Sequence, residues 1–243
     1  MSKLLVKDKD IAVPGECLAE GLDYLPGIGT YREGEKIHSS RLGLVTVDGR
    51  AIKLIPLAGR YLPKRGDTII GKVIDIVMSG WIIETESAYT AMLGMKEATS
   101  EYIPKGADLT RYFTFGDNLV CKIINVTSQR LVDVSMRGPG LRNLRGGRII
   151  KVNSQKVPRI IGKKGSMVSM IKQATDCKII VGQNGVIWLQ GEDPKLELLT
   201  VETIQKIEKE AHISGLTDRI KEYLEKATGK KLVITEGGEQ NDL

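Results

Sequence analysis

Cysteine and histidine are scarce in this chain, with three and two of them respectively in 243 residues. Cys17, Cys121 and Cys177 lie far apart and form no CxxC pair. That excludes a disulfide scaffold and a zinc ribbon, and indicates a reducing compartment. His38 and His212 fall in different parts of the chain, so neither a Cys–His pair nor a two-histidine metal site is suggested. There is no GxxxxGK(S/T) loop for nucleotide phosphates. The carboxylates are scattered, without the DxD cluster that would hold the metal pair of a hydrolytic nuclease. No catalytic residue, metal ligand or cofactor is expected, and the chain does not read as an enzyme.

Long apolar runs are missing as well. None approaches the roughly 20 residues of a membrane span. The start, Met1 to Asp10, is charged within its short apolar stretch and offers no cleavage site, so it does not read as a signal peptide. A cytoplasmic protein is expected. With 41% apolar residues the chain can still build cores, and its length suits two or three small domains.

Acidic residues are absent from one long stretch. The formal charge of +6 and a pI near 9.1 favour a polyanionic partner only in a general way. The distribution is more specific. Arg137, Arg142, Arg145, Arg148, Lys151, Lys156, Arg159, Lys163 and Lys164 follow one another without an intervening Asp or Glu. Solvated surfaces usually mix both signs, so this stretch is a candidate phosphate-binding footprint, with an incidental basic face as the alternative.

The first third is rich in turn formers and short β-type runs. Val13-Pro14-Gly15, Leu25-Pro26-Gly27-Ile28-Gly29 and Val47-Asp48-Gly49-Arg50 cut it into strand-length pieces, and Asp48-Gly49 marks a hairpin. After Pro63 to Asp67 come runs at Thr68 to Val77, Trp81 to Thr85, Ala88 to Leu93, Asn118 to Val126 and Leu131 to Met136. Val132, Val134 and Met136 alternate with Asp133 and Ser135, the period of a half-buried strand. Five strands with a long connection from about Lys96 to Thr114 fit a closed barrel of the OB type. Beyond Gly146-Gly147 the order is strand (Arg148 to Val152), helix (Val157 to Ile161), helix, strand (Cys177 to Val181), strand (Val186 to Gln190), helix. Ser166 is the expected cap of the second helix, and Asn184-Gly185 the hairpin turn. Asp193 with Pro194 opens the long helix. A further helix is expected from Leu216 to Ala227 and a frayed, Gly-rich end after it.

The sharpest local signal is Ile160-Ile161-Gly162-Lys163-Lys164-Gly165. Gly162 and Gly165 have no Cβ to keep another backbone away, and the start of the following helix favours phosphate oxygens. Lys163 and Lys164 add charge. In this run of elements the motif resembles a KH domain, over about Arg148 to Ala211. KH domains clamp about four single-stranded nucleotides with the GxxG loop. The alternative is an ordinary helical turn with glycines for tight packing.

The barrel, from about Gly66 to Arg137, resembles an S1 domain in Gly71-Lys72-Val73, Ser79-Gly80-Trp81, Ala91-Met92-Leu93 and Leu131 to Met136. OB barrels stack bases on exposed aromatics above a basic groove. Trp81 is either such a platform or a core residue, and Phe113 and Phe115 pose the same question. S1 domains commonly carry an aromatic and a histidine near the third strand; here that segment reads Leu93-Gly94-Met95, which favours backbone contact or scaffolding. Lys72, Arg111 and Lys122 are the candidate groove cations.

The order of modules is more specific than any one of them. A turn-rich β domain, then S1, then KH, resembles the S1/KH cap subunits of the archaeal exosome. The resemblance implies a multi-domain chain: an all-β ring-docking domain over 1–62, an S1 (OB-fold) barrel over 63–140, an α+β KH domain over 147–227 and a flexible tail over 228–243. It implies a non-catalytic protein that captures single-stranded RNA and directs its 3′ end to a hexameric ring of phosphorolytic ribonuclease subunits. Three copies would sit on that ring, mixed in some complexes with a sister cap that carries a zinc ribbon. The implied RNA contacts are Arg159, Gly162, Lys163, Lys164 and Gly165, with Arg137, Arg142, Arg145 and Arg148 adding sequence-neutral attraction. Two other readings stay open: a structural subunit that stabilises the ring, and a stand-alone S1/KH regulator of transcription or translation.

Overall fold

In the computed structural model, which describes residues 2–104, 106–211, 213 and 215–232, the chain divides after Gly59 into two units. The first is built wholly of strands: β1 (Lys3–Leu4), β2 (Ile11–Ala12), β3 (Cys17–Glu20), β4 (Leu25–Pro26), β5 (Thr30–Glu33), β6 (Lys36–Ser39), β7 (Gly43–Asp48) and β8 (Ala51–Pro56). They form two four-stranded sheets, in the orders β1-β3-β6-β5 and β2-β7-β8-β4. The expected hairpin joins β7 to β8, closing at Asp48 opposite Ala51. Residues that alternate inward, such as Leu18, Ile37, Val45, Ile52 and Leu54, make the core. A cluster this small leaves many apolar side chains outside, among them Ile11, Val13, Leu22, Leu25, Ile28 and Ile55.

The second unit begins with the barrel. Its strands are β9 (Thr68–Val77), β10 (Gly80–Glu84), β11 (Thr90–Gly94), β12 (Asn118–Val126) and β13 (Val132–Ser135). The order β13-β11-β10-β9-β12 closes because β12 also pairs with β13. Neighbours are antiparallel except β11 with β13, which run parallel. This is the OB arrangement expected. Ile69, Val73, Trp81, Ile83, Leu93, Leu119, Cys121, Ile123 and Val134 fill the interior, and burial pushes the Cys121 thiol up to about 12. The long connection is not bare loop: it holds a short helix α1 (Met95–Ala98) and a 3-10 turn at Leu109–Arg111.

The third module has β15 (Arg148–Lys151), α2 (Val157–Ile161), α3 (Ser166–Thr175), β16 (Lys178–Val181), β17 (Val186–Gln190) and α4 (Pro194–Glu210). The sheet is antiparallel with order β15-β17-β16, and Ile160, Met170, Ile171, Ile179, Ile187, Leu189, Ile204 and Ile207 join it to the helices. Asp193 caps α4 through the Lys195 N–H, with Pro194 at the first turn, as expected. An added helix α5 (Leu216–Thr228) lays Leu216, Ile220 and Leu224 on the same core. The flexible tail was expected from 228, yet Leu232 is buried against that core and its N–H bonds the Glu225 carboxylate. The remainder of that tail, and His212, lie outside the described residues.

The segment between barrel and KH module is itself ordered. A two-residue strand β14 (Asn143–Leu144), not expected from the sequence, pairs with the start of β12. The outer side of the KH sheet, opposite its helices, then meets the outside of the barrel. Ile180, Val186 and Trp188 pack with Ile70, Val120 and Leu144 in one buried cluster. At about 25 cal/mol per Å2 of apolar surface, six such side chains contribute several kcal/mol.

Candidate nucleic-acid interface

The GKKG loop joins α2 to α3 and is exposed where it needs to be. Lys163 and Lys164 are both open to solvent. Gly162 has φ +77, and a Cβ there would lie 2.7 Å from the Met167 nitrogen, so only glycine lets the loop close on α3. Gly165 has φ +79 with nothing within 4 Å of its missing Cβ, which leaves open space for an approaching backbone. Between them Lys164 is left-handed, with φ 51 and ψ 33. A lysine in that conformation costs roughly 1–2 kcal/mol, and such strain concentrates at binding sites. Ser166 is a correction: it is the first helical residue, behind Gly165, and no side chain caps α3. The positive end of the helix is therefore left for an outside acceptor.

The basic stretch divides in the structure. Arg142, Arg145, Arg148, Arg159, Lys163 and Lys164 are exposed and, among the described residues, none lies within ion-pair distance of a carboxylate. Arg142 and Arg145 flank β14, so the barrel holds them in place. Arg137 is anchored by its Nε to the Thr99 carbonyl at 3.0 Å and leaves its outer nitrogens exposed. Two members of the run serve the fold instead. Lys151 pairs with Glu86 at 2.5 Å, and Lys156 donates to the Glu208 carbonyl at 2.9 Å. The stretch is thus not one uninterrupted footprint, because residues distant in sequence claim its middle.

On the barrel, the aromatic question is answered. Trp81 is 0% exposed; its Nε1 donates to the Phe113 carbonyl at 3.0 Å and its ring meets Phe113 edge-on at 5.2 Å. It is a core residue that ties down the long connection, not a stacking platform. Phe113 is core at 7% exposure, whereas Phe115 is 72% exposed. Lys72 and Lys122 both face outward, but Lys72 lies opposite Asn118 and Lys122 opposite Thr68. The strip between them, Ile70 and Val120, is covered by the KH sheet. They therefore flank a buried contact and do not line one groove. Arg111 sits on the long connection beside Asp108, 3.6 Å away.

Comparison with known proteins agrees with this anatomy. A KH-domain family model matches residues 147–195, and a model for the N-terminal domain of the exosome RNA binding protein RRP4 matches residues 9–58. The exosome complex component Rrp4 of Methanothermus fervidus is 46% identical over 222 residues, covering 91% of this chain and 97% of that protein. The chain belongs to the Rrp4 family of exosome complex components. Rrp4 of Pyrococcus furiosus is 43% identical over 227 residues, covering 92% of this chain and 86% of the relative. A crystal structure described as that of an exosome complex RNA-binding protein superposes with a TM-score of 0.63 at 31% identity, over 69% of this chain and 97% of its own.

Among the described residues no helix is long and apolar enough to cross a membrane, and no group of three or more His, Cys, Asp or Glu residues could hold a metal ion.

Proposed function

We propose that this Rrp4-family chain is a non-catalytic RNA-binding cap of a cytoplasmic exosome. It captures single-stranded RNA and directs the 3′ end toward a hexameric ring of phosphorolytic ribonuclease subunits. The observation that carries the reading is the exposed, unpaired Lys163–Lys164 pair, held between two glycines at an uncapped helix start. Gly165 admits a phosphate backbone and Gly162 lets the loop that receives it close on α3; Lys163, Lys164 and Arg159 attract it. Arg137, Arg142, Arg145 and Arg148 extend the field, with Lys72, Arg111 and Lys122 as further contacts on the barrel. Phosphate contacts position a strand without reading its sequence, which suits a degradative machine.

The proposed modules are 1–62 for docking on the ring, 63–140 as the S1 barrel and 147–227 as the KH domain. Three copies per ring, or a mixture with the zinc-ribbon cap, complete the assembly. The exposed Ile11 and Ile55 of the first unit, which lie either side of Leu44 across three neighbouring strands, support docking, since adjoining exposed apolar side chains mark protein contacts. They also support the second reading, a subunit whose chief task is to hold the ring together. The stand-alone regulator has no such use for them.

Replacing Lys163 and Lys164 together with Glu in the full chain tests the RNA contact. Affinity for single-stranded RNA should fall by roughly tenfold or more at about 0.1 M salt, and the salt dependence should become shallower by about 1.4 in log–log slope. Unchanged affinity and slope would refute it. RNA cleavage by the purified chain alone would overturn the non-catalytic assignment.

A further inference from the structure

Trp81 and Phe113 are spent on the barrel core. That leaves two exposed aromatics in this module among the described residues, Tyr102 at 85% and Phe115 at 72%. Tyr102 follows Glu101, whose charge repels a phosphate strand. Phe115 has the opposite company. It stands just ahead of β12, next to the exposed, unpaired arginines that flank β14.

The segment that carries Phe115 is pinned on each side. The Asp117 N–H donates to the Thr114 carbonyl at 3.1 Å and closes a four-residue turn. Gly116 has φ +93, the positive value that the third place of a type II turn requires, so Phe115 takes the second place, at the apex. The Gly116 N–H donates to the Val73 carbonyl at 2.9 Å, and the Val73 N–H to the Asp117 carbonyl at 2.8 Å. These bonds tie the turn to β9. The Asp117 carboxylate is engaged within: its Oδ2 accepts from the Thr114 N–H at 2.8 Å and from the Asn143 Nδ2 at 3.3 Å. The second of these fastens the turn to β14.

The neighbouring cation is held just as firmly. Leu144 pairs with Asn118, and one further step of that register puts Arg145 opposite Asp117. On its other side the Gly146 carbonyl accepts from the Trp188 Nε1 at 2.8 Å. A ring held out in water therefore stands beside a guanidinium whose backbone is fixed at both ends. A lone exposed phenylalanine carries no meaning; the rigid turn and the arginines give this one a use. Together they fit a nucleotide, with the base on the ring and the phosphate against the charge.

We propose that Phe115 stacks one base of a captured RNA strand, with Arg142 and Arg145 on the neighbouring phosphates. This rests on the RNA-capture reading above, and it places the stacking surface of the barrel on the turn before β12. Every base offers a π face, so the contact adds affinity without choosing a sequence. It divides the grip into a part that salt screens and a part that salt leaves alone.

The test uses the full chain and two single-stranded RNAs of about ten nucleotides, within the span of one OB fold. One is intact and the other carries stable abasic residues through its middle. Phe115→Ala should weaken binding of the intact strand roughly fivefold or more and leave the abasic strand as it was. The log–log salt slope should not move, because no charge is removed. Phe115→Tyr should keep most of the native preference for the intact strand, and Phe115→Leu should lose it. Equal losses on both strands, a changed salt slope or full rescue by leucine would each overturn the stacking. A second measurement needs no variant. Irradiating the native chain with 5-iodouridine RNA should cross-link Phe115, and cross-links confined to other residues would sink the proposal. Should the Lys163/Lys164 double variant bind as the native chain does while Phe115→Ala still loses the intact-strand preference, the KH contact fails and the stacking stands; the reverse pattern keeps the KH contact and removes the stacking.

Discussion

Two GxxG loops lie within one KH module, and they do opposite things. Gly162 to Gly165 stands in solvent with two lysines between its glycines, and its second glycine faces open space. Gly182 to Gly185 is buried with Gln and Asn between its glycines, and both would clash with neighbouring backbone if given a Cβ. The glycines grant close approach in each case. The middle pair decides what approaches: lysines suit a polyanion, while an amide suits peptide N–H and C=O groups.

Exchanging the middle pairs should break this division most visibly. Gln183→Lys with Asn184→Lys would strand two ammonium groups against the barrel and orphan the Ile70 and Thr85 peptide groups that the Asn184 amide bonds. A loss of about 3–5 kcal/mol is expected, read by urea unfolding. The reciprocal change, Lys163→Gln with Lys164→Asn, should leave stability within about 0.5 kcal/mol, since Asn tolerates the left-handed position, while RNA affinity falls. Equal stability costs in the two loops would erase the contrast.

The barrel offers the same contrast between twin residues. Phe113→Ala should cost about 3–4 kcal/mol by emptying space around Trp81, whereas Phe115→Ala should change stability by less than about 0.5 kcal/mol. Thermal unfolding of the two variants side by side checks this.

The smallest effect belongs to the ion pair beside the second loop. Its hydrogen bond to Glu86 holds Lys151 protonated above the ordinary lysine value of 10.5. The unfolded chain gives up that proton first. The contribution is therefore whole below pH 10.5 and fades as pH climbs through the higher value of the folded state. Because Lys151 is largely exposed, Glu86→Gln should cost less than about 1 kcal/mol, and it should flatten the alkaline fall in melting temperature above that pH. An equal alkaline fall in both proteins would show that the pair contributes nothing.

Much of this was legible in the residues. Alternation at Val132 and Val134 gave a barrel strand, Asp193-Pro194 gave a helix start, and the lysine-bearing loop stood out by charge. What the sequence concealed was the junction. Asn184-Gly185 carries the usual signal of a type I′ turn, which needs positive φ at both residues, yet only Gly185 has it. The asparagine is there for its amide. A usable signal did exist one step further on. Val186-Ile187-Trp188-Leu189 is an unbroken apolar run, and all four are buried. A half-covered strand would alternate, so a continuous run means that both faces of the sheet are packed. Ile69-Ile70 and Leu119-Val120 in the barrel carry the same mark. Ser166 misled for a different reason: with Gly165 already turning the chain, the helix begins one residue earlier than the serine would start it.

The apolar outer face of the KH sheet has a practical consequence for dissecting the molecule. Expressed without the barrel, residues from Arg148 onward would present Ile180, Val186 and Trp188 to water beside two unpaired strand edges. Such a fragment has a ready template for sticking to its own copies. Clumping or pairing of the isolated fragment would then report the missing barrel, and would say nothing about how the intact subunit behaves.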